Sequence, residues 1–323
     1  MRRRVVGVVS ALALVLTTGS LIPASLAGQT TKAKKPWSLP RTPDGQPDFQ
    51  GIWDFRTATP LERPREFAGR EFFTSEEAAA FEKQSADRLE ETLAVHAPFW
   101  LDYGANVLAS RRTALIVDPP DGRVPSLTPE AQQKTAAARA EARRTRADGP
   151  EDFSLGERCI LFGAGPPIVP GPYNNNIQIV QTRDTVVVFN EMIHDARIVP
   201  MDGRPHLPPN IRPLLGDSRG RWDGDTLVIE TTNFTDRTRF RGSDENLRLI
   251  ERFTRTGADT LMYEFTLDNP TAFTSRWTAA YPMARSEEHM YEYACHEGNY
   301  GLRNMLTSAR FADKAAEGAA KKK

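Results

Sequence analysis

The amino-acid sequence predicts a mainly β protein: an antiparallel barrel or sandwich with a helical insertion and a C-terminal helix. Roughly eight to ten strand-like segments are present, and short turn-like stretches join most of them. The pair Asp223-Gly224 lies between two alternating runs, a pattern typical of a β-hairpin. Such short connections favour antiparallel pairing, because parallel strands need long crossovers.

Each strand is predicted from a short apolar or alternating run that is bounded by turn residues. The segments 220–234 and 247–268 each supply both strands of a hairpin, and the second of these turns near Thr256–Asp259. The complete set of predicted strand segments is 48–55, 112–127, 176–182, 184–191, 194–202, 220–234, 247–268, 273–283 and 289–297.

Two segments before the main run of strands are predicted to be helices. Thr74 caps the first, which is expected over 74–93 and has acidic residues in its first turn. Thr128 caps the second, which starts with Pro129 and runs to about Arg146. This second helix has almost no large apolar residue, so we expect it to lie on the surface.

Residues 1–27 are predicted to be a secretory signal peptide. Arg2–Arg4 precede an apolar core over 5–16, and small residues lead up to Ala27, as expected before a cleavage site. An uncleaved N-terminal anchor is the alternative, although the apolar core is short for a membrane span. The adjacent arginines leave a twin-arginine export route open. The mature protein is therefore expected in the periplasm or outside the cell.

The rest of the chain is expected to form one large domain between two polar ends. Residues 28–48, rich in Lys, Pro and Gly, predict a tether. The domain is expected over 49–310, with the helical insertion at about 72–147 and a lysine-rich tail over 311–323.

The charge balance argues against nucleic acid as a partner. The chain has 42 basic and 42 acidic residues, and loss of the signal peptide removes three arginines and no acid. A nearly neutral chain has no global field to attract nucleic acid or an anionic membrane. No later apolar stretch approaches membrane length, so we expect no stable membrane insertion after cleavage. Acids flank the arginines of 234–242, which favours a charged loop over a local anion site.

The two cysteines, Cys159 and Cys295, fit a single disulfide in an oxidising compartment. Two free buried thiols are the alternative. A paired redox centre is disfavoured, because the sequence has no Cys-x-x-Cys spacing.

Gly51 and Trp53 on the first predicted strand resemble the Gly-x-Trp signature of lipocalins and the wider calycin group. The resemblance implies a calycin-like barrel with an internal pocket, in which Trp53 plugs the closed end against a basic side chain from a late strand. Arg276 and Arg285 are the candidates for that side chain. Residues 49–310 are also similar to a broad group of exported bacterial proteins without an assigned activity.

The segment 190–206 concentrates charged residues and two histidines directly after an apolar strand. If the strand continues, its two-residue period places Asn190, Met192 and His194 on one largely apolar face. The same period places Glu191, Asp195 and Arg197 on a solvated face. A break in the strand at 193–195 would undo this assignment. A core histidine held by one backbone hydrogen bond is the alternative to a catalytic one.

A second group of candidate residues lies in the loop 160–176 and in the segment around Cys295. The loop is rich in Pro, Gly and Asn and suits the rim of a pocket. A Cys159–Cys295 bond would bring His296 near this loop, where Tyr173 could donate a proton and Asn174 could orient a carbonyl. An ordinary loop held by the disulfide is the alternative.

These residues lead to the hypothesis of an exported lyase or isomerase that uses acid–base chemistry on a small, partly apolar organic molecule. His194 is the proposed base, with His296 and Tyr173 as acids or donors and Glu191 or Asp195 as the orienting carboxylate. The proposed ligand contacts are Asn174, Asn190, Met192 and Arg197, and the proposed structural residues are Cys159, Cys295 and Trp53.

Three alternatives to this hypothesis remain. A lipocalin-like carrier of an apolar ligand and an envelope interaction module are the non-catalytic ones. A zinc or iron site formed by His194, His206 and His296 with Glu191 or Asp202 is the third, although no compact metal-binding signature is present and no cofactor is expected. The oligomeric state is not assigned by the sequence.

Overall fold

The computed structural model describes residues 37–93, 104–144, 147–162, 165–238 and 240–320. The predicted signal peptide and the start of the tether, over 1–36, lie outside these ranges. Within them, ten strands form one antiparallel sheet, accompanied by three helices. The mainly β, antiparallel class predicted from the sequence is confirmed.

The strands are β1 Gly51–Asp54, β2 Ile116–Asp118, β3 Asn176–Gln181, β4 Thr185–Asn190, β5 Ala196–Pro200, β6 Asp217–Asp223, β7 Thr226–Thr232, β8 Arg248–Gly257, β9 Thr260–Asp268 and β10 Trp277–Ser286. The helices are α1 Ser75–Leu93, α2 Pro129–Arg144 and α3 Tyr300–Ala320.

The sheet has the strand order β5-β4-β3-β1-β10-β9-β8-β7-β6, and β2 pairs with β10 beside this path. The two edge strands, β5 and β6, do not pair through backbone hydrogen bonds. The two strands are nevertheless in contact, because the Val199 side chain of β5 lies against the Gly220 backbone of β6, where a Cβ would be 2.9 Å from Val199 Cγ1. The sheet therefore curls until its edges touch, and the predicted barrel is open at this seam.

The inside of the curled sheet is filled by side chains. One buried hydrophobic cluster joins residues of both halves of the sheet, including Val188 of β4, Ile229 of β7 and Phe265 of β9. Trp53 and Tyr263 are among its largest fully buried members. The internal ligand pocket that the calycin resemblance implied is thus replaced in this structure by a packed core.

A buried ion pair lies within this core. Arg197 of β5 donates to both carboxylate oxygens of Glu251 on β8, and both side chains are almost completely enclosed. The Tyr263 hydroxyl donates to Glu251 Oε1 at 2.8 Å and accepts from the Ile168 backbone N–H at 3.0 Å. The Tyr281 hydroxyl donates to the Ile168 carbonyl at 2.7 Å. Through Ile168, the network thereby holds the loop 160–176 against the core.

Trp53 is fully buried, and the basic side chain beside it is neither Arg276 nor Arg285. The guanidinium of Arg255 on β8 lies 5.5 Å from the centre of the Trp53 ring. Arg255 also donates to the carbonyl of Asp48 at 2.8 Å. Arg285 lies against Gly51 instead, 3.5 Å from where a Cβ on that glycine would be.

The predicted helix caps are confirmed. Thr74 Oγ1 accepts from the Glu77 N–H while the Glu77 carboxylate accepts from the Thr74 N–H, which forms a capping box. Thr128 Oγ1 accepts from the Ala131 N–H at the start of α2. Ala131 is the only buried residue among positions 129–140 of α2, which confirms a surface helix.

Two segments differ from the expectations. The strand predicted over 289–297 is wrong: this segment is irregular, and Tyr291 is exposed on the face that alternation would have buried. The helix α3 continues to Ala320, through most of the predicted lysine-rich tail. Within the ranges given above, no helix has the length and apolarity needed to cross a membrane.

Candidate functional site

Between β4 and β5 the chain makes a strained turn over Glu191–Asp195, termed the Asp195 turn. Its central residues, Ile193 and His194, have φ values of 55° and 46°. A β-branched residue rarely adopts a positive φ, because its side chain then collides with the backbone. Such strain costs about 1–3 kcal/mol and is concentrated at functional sites in proteins. The turn is therefore the first candidate for a functional site.

Hydrogen bonds from both sides hold the turn in place. The Asn190 N–H donates to the Asp195 carbonyl at 2.8 Å, which closes the turn. The Glu191 N–H donates to the Asn176 carbonyl at 3.0 Å, and Asn176 Nδ2 donates to Glu191 Oε2 at 2.9 Å. The Glu191 carboxylate is thereby engaged with Asn176, and it makes no hydrogen bond to a histidine ring among the described residues.

Two tyrosines cover the apolar side of the turn. Met192 and Ile193 are buried and pack against Tyr173 and Tyr293. The two tyrosine rings are nearly parallel, with centroids 6.2 Å apart. His194 Nδ1 lies 3.3 Å from the Tyr293 carbonyl, so the imidazole contacts the same segment.

The turn also reverses the faces that the sequence period predicted, and the predicted assignment after residue 192 is wrong. Asn190 points into the core, as expected, but the break at 193–194 shifts the alternation by one residue. Arg197 is consequently buried in the ion pair with Glu251, whereas Ile198 is 65% exposed. His194 is exposed instead of lying in an apolar face, so it is not the core histidine of the alternative reading.

Asp195 is the most perturbed carboxyl group of the turn. Its Oδ2 is enclosed and accepts no hydrogen bond from any part of the chain that the structure describes. Burial raises the pKa of Asp195 to about 6, and the nearby His194 lowers it by a smaller amount. A carboxyl group with a pKa near 6 can both take and give a proton close to neutral pH.

Tyr173 is the second perturbed group. Burial, followed by a hydrogen bond with Tyr293, raises the pKa of Tyr173 to about 12. The Tyr173 hydroxyl therefore stays protonated at physiological pH. It can donate a hydrogen bond to an oxygen that becomes negatively charged.

The predicted disulfide is confirmed and explains how the tyrosine segment is held. Cys159 and Cys295 are bonded, with their Cα atoms 5.7 Å apart. Cys295 lies two residues after Tyr293, so the bond keeps that tyrosine beside Tyr173. His296 is exposed, and its ring makes no hydrogen bond or ion pair with the described residues. The structure therefore connects Tyr173 and His194 through Tyr293, on the turn that carries Asp195, and leaves His296 apart.

The predicted ligand contacts also differ in burial. Asn174 is half-buried beside Tyr173 and has a φ of 55°. Asn190, Met192 and Arg197 are buried. Asn190 Oδ1 has no hydrogen-bond partner among the described residues, which makes it a second unsatisfied acceptor next to Asp195. Arg197 is enclosed in its ion pair with Glu251 and is therefore not accessible to a ligand.

The structure shows a histidine–carboxylate pair that the sequence did not reveal. His206 Nδ1 lies 2.8 Å from Oδ2 of the buried Asp217, which also accepts from Arg219. His206 Nε2 is 3.9 Å from Glu230, and Arg248 holds Glu230 through two hydrogen bonds. No sequence pattern predicts this pair. The loop 203–213 is rich in proline and has no periodicity, and it carries His206 onto the outer face of β6 and β7.

No three His, Cys, Asp or Glu side chains of the described residues converge in a metal-ligand arrangement. In particular, His194, His206 and His296 have separate surroundings, so the alternative metal site is not assembled from the described residues. Comparison with known proteins adds no relative: no family model, no curated protein and no solved structure matches this chain.

Proposed function

We propose that this chain is an exported enzyme that performs acid–base chemistry, of the lyase or isomerase type, on a small, partly apolar organic molecule at the Asp195 turn. The main support is the enclosed Oδ2 of Asp195, which has no hydrogen-bond partner among the described residues. It lies on a turn whose Ile193 and His194 have positive φ and whose Ile193 packs against Tyr173 and Tyr293. The intact disulfide supports export, since disulfides persist in oxidising compartments.

The chemistry follows from the two perturbed groups. The ionised Asp195 takes a proton from a carbon next to a substrate carbonyl, the electron pair of that C–H bond forms a C=C bond, and the π pair of the carbonyl moves to its oxygen. Tyr173 donates a hydrogen bond to the resulting enolate. Asp195 then returns its proton to a second carbon, as in an isomerase. In a lyase, the enolate instead expels a leaving group, which takes the proton.

The packed interior changes the expected position of the substrate. Because the core fills the inside of the sheet, the substrate is proposed to bind outside it, against the exposed side of the Asp195 turn. His194, exposed at this surface, would contact the substrate or its carbonyl oxygen. It takes a supporting role, and Asp195 replaces it as the proposed base.

The filled interior also favours one second candidate function, the envelope interaction module. The outer face of β3, β4 and β5 aligns Val180, Val187 and Ile198 in neighbouring register positions. Val180 is 41% exposed and Ile198 is 65% exposed. Exposed apolar side chains in one row are a feature of interaction surfaces.

The proposed function is tested by hydrogen exchange, which needs no knowledge of the product. The mature protein is incubated in D2O with a panel of small keto and unsaturated carboxylic acids, and NMR follows the loss of C–H signals. We expect exchange with the wild-type protein and a loss of at least about 100-fold in Asp195→Asn, a typical contribution of general acid–base catalysis.

Asp184→Asn is the matched control, since Asp184 is exposed on the turn between β3 and β4. It should retain the wild-type rate. Equal rates for wild-type protein and Asp195→Asn would contradict the proposal. Absence of exchange with a panel that includes compounds shown to bind would favour the interaction module.

A further inference from the structure

An open groove is lined by residues that precede and follow Cys159 of the disulfide in the sequence. Its volume is about 520 Å³, within the range of small-molecule sites. Three separated parts of the chain line it: residues within 151–158, residues 161–162 and 165–166 of the loop 160–176, and residues 237, 238 and 240. The start of the loop 160–176 therefore contributes to the wall of this groove.

Aromatic rings on a rigid support form the apolar part of the groove. Phe240 stacks on the buried Trp277, with ring centroids 6.1 Å apart, so this part is continuous with the core. On the opposite side Phe162 lies over Gly156, where a Cβ would be 2.4 Å from the ring. Phe153 also lines the groove. Any larger residue at position 156 would therefore displace the Phe162 ring.

The charged part of the groove is mostly positive. Arg158 and Arg237 both line it, and neither guanidinium has an ion pair with any residue that the structure describes. Glu151 is the acidic residue of the lining. Guanidinium groups without a protein partner suit a carboxylate, sulfonate or phosphate, because they form charge-assisted hydrogen bonds with such anions.

From these observations we propose that the groove binds a small organic anion with an aromatic body. The rings of Phe153, Phe162 and Phe240 take the aromatic part, and Arg158 or Arg237 takes the anionic group. A neutral apolar molecule would leave both guanidiniums without a partner, and a small inorganic anion would leave the aromatic surface uncovered.

The groove borders the Asp195 turn through one contact. A Cβ on Gly165, which lines the groove, would lie 3.6 Å from Nδ2 of Asn190, the residue directly before the turn. Binding in the groove does not require turnover at Asp195, so the two proposals fail separately.

A pair of fluorescent dyes tests the inference. 1-Anilinonaphthalene-8-sulfonate is an aromatic anion, and N-phenyl-1-naphthylamine has the same aromatic body without the sulfonate. We expect the anionic dye to bind about tenfold more tightly to the mature protein, as a charge-assisted contact allows. Arg158→Gln or Arg237→Gln should remove most of this difference and leave the affinity for the neutral dye within about twofold.

Arg204→Gln is the matched control, since Arg204 is an exposed arginine outside the groove. It should bind both dyes like the wild-type protein. Gly156→Ala should displace Phe162 and weaken both dyes, and Phe162→Ala gives the same test if that variant does not fold. Equal affinity for the two dyes, or unchanged affinity of the anionic dye in both arginine variants, would overturn the inference.

Discussion

Glu251 in the interior of the sheet and Asp195 at the turn are both carboxyl groups removed from bulk water, and they differ in what surrounds them. Glu251 is fully enclosed, yet Arg197 and Tyr263 donate three hydrogen bonds to it. Asp195 is half-buried, yet its enclosed oxygen receives none. Burial alone therefore does not distinguish a structural carboxylate from a reactive one.

The difference identifies the carboxyl group on which the proposed function rests. A carboxylate with all its partners present has its charge fixed by the fold, and changing it damages the fold. A carboxyl group without donors has no such fixed state, and its proton affinity is set by the cost of burial. Asp217, held by His206 and Arg219, belongs with Glu251 in this comparison.

The largest expected effect comes from removing the ion-pair partner of the buried Glu251. Arg197→Met leaves the Glu251 charge buried without its partner, and we expect a loss of about 3–5 kcal/mol in the free energy of unfolding. Urea denaturation followed by circular dichroism measures it. The double variant Arg197→Met/Glu251→Gln should recover much of the loss. A single variant as stable as the wild-type protein would contradict the structural role of the pair.

The second prediction concerns the Cys159–Cys295 disulfide, which holds the segment of Tyr293 beside the Asp195 turn. Cys159→Ser/Cys295→Ser should lower the free energy of unfolding by about 2–4 kcal/mol, because the bond closes a long loop in the unfolded chain. It should also release Tyr293 from Tyr173, and the pKa of Tyr173 should fall towards 10 as water reaches the ring. Thermal unfolding and ultraviolet titration of tyrosine measure the two effects. An unchanged tyrosine titration would show that packing alone holds this pair.

The third prediction gives the pH dependence of the turn. The folded-state pKa of Asp195 is raised from 3.8 to about 6, so the folded protein binds this proton more tightly than the unfolded chain does. Its stabilising effect is complete below pH 3.8 and is lost as the pH rises through about 6. Two pKa units imply about 3 kcal/mol, and water screening of the half-exposed group reduces this to about 1 kcal/mol.

Asp195→Asn should accordingly match the wild-type protein at pH 3.5 and exceed its unfolding free energy by about 1 kcal/mol at pH 7.5. Asp184→Asn, on an exposed turn, should show no such divergence with pH. An Asp195→Asn variant that is less stable at pH 7.5 would mean that the carboxylate has favourable partners after all.

The smallest expected effect isolates the backbone strain. His194→Ala and His194→Gly both remove the exposed imidazole, and only glycine adopts the observed φ of 46° without strain. We expect the glycine variant to be more stable than the alanine variant by about 1 kcal/mol in chemical denaturation. The opposite order would indicate that the turn relaxes to a negative φ.

Local patterns in the sequence predicted the parts of the fold that depend on neighbouring residues. The Asp223-Gly224 hairpin, the Thr74 and Thr128 caps and the disulfide were all predicted, because each rests on a few adjacent residues or on a count of two cysteines. The strand at 289–297 was wrong, because alternation does not show whether another element covers one of the faces.

The candidate site depends on contacts that the sequence does not contain. Tyr173, His194 and Asp195 were named as candidates, but the positive φ of Ile193 exchanges the proposed roles of His194 and Asp195. The partner of Arg197 lies 54 residues away, and sheet register alone brings the two together. In the same way, Arg255 reaches Trp53 through its place on β8, which made Arg276 and Arg285 the wrong candidates.

The central claim is that Asp195 is a carboxyl group that changes protonation near neutral pH, and a direct titration tests it. Carbon NMR of the aspartate carboxyl groups, with the Asp195 signal assigned by its absence in Asp195→Asn, follows this group from pH 3 to 8. A midpoint near 6 is the result we expect. A midpoint at or below 4 would contradict the claim, because Asp195 would then be an ordinary ionised surface carboxylate.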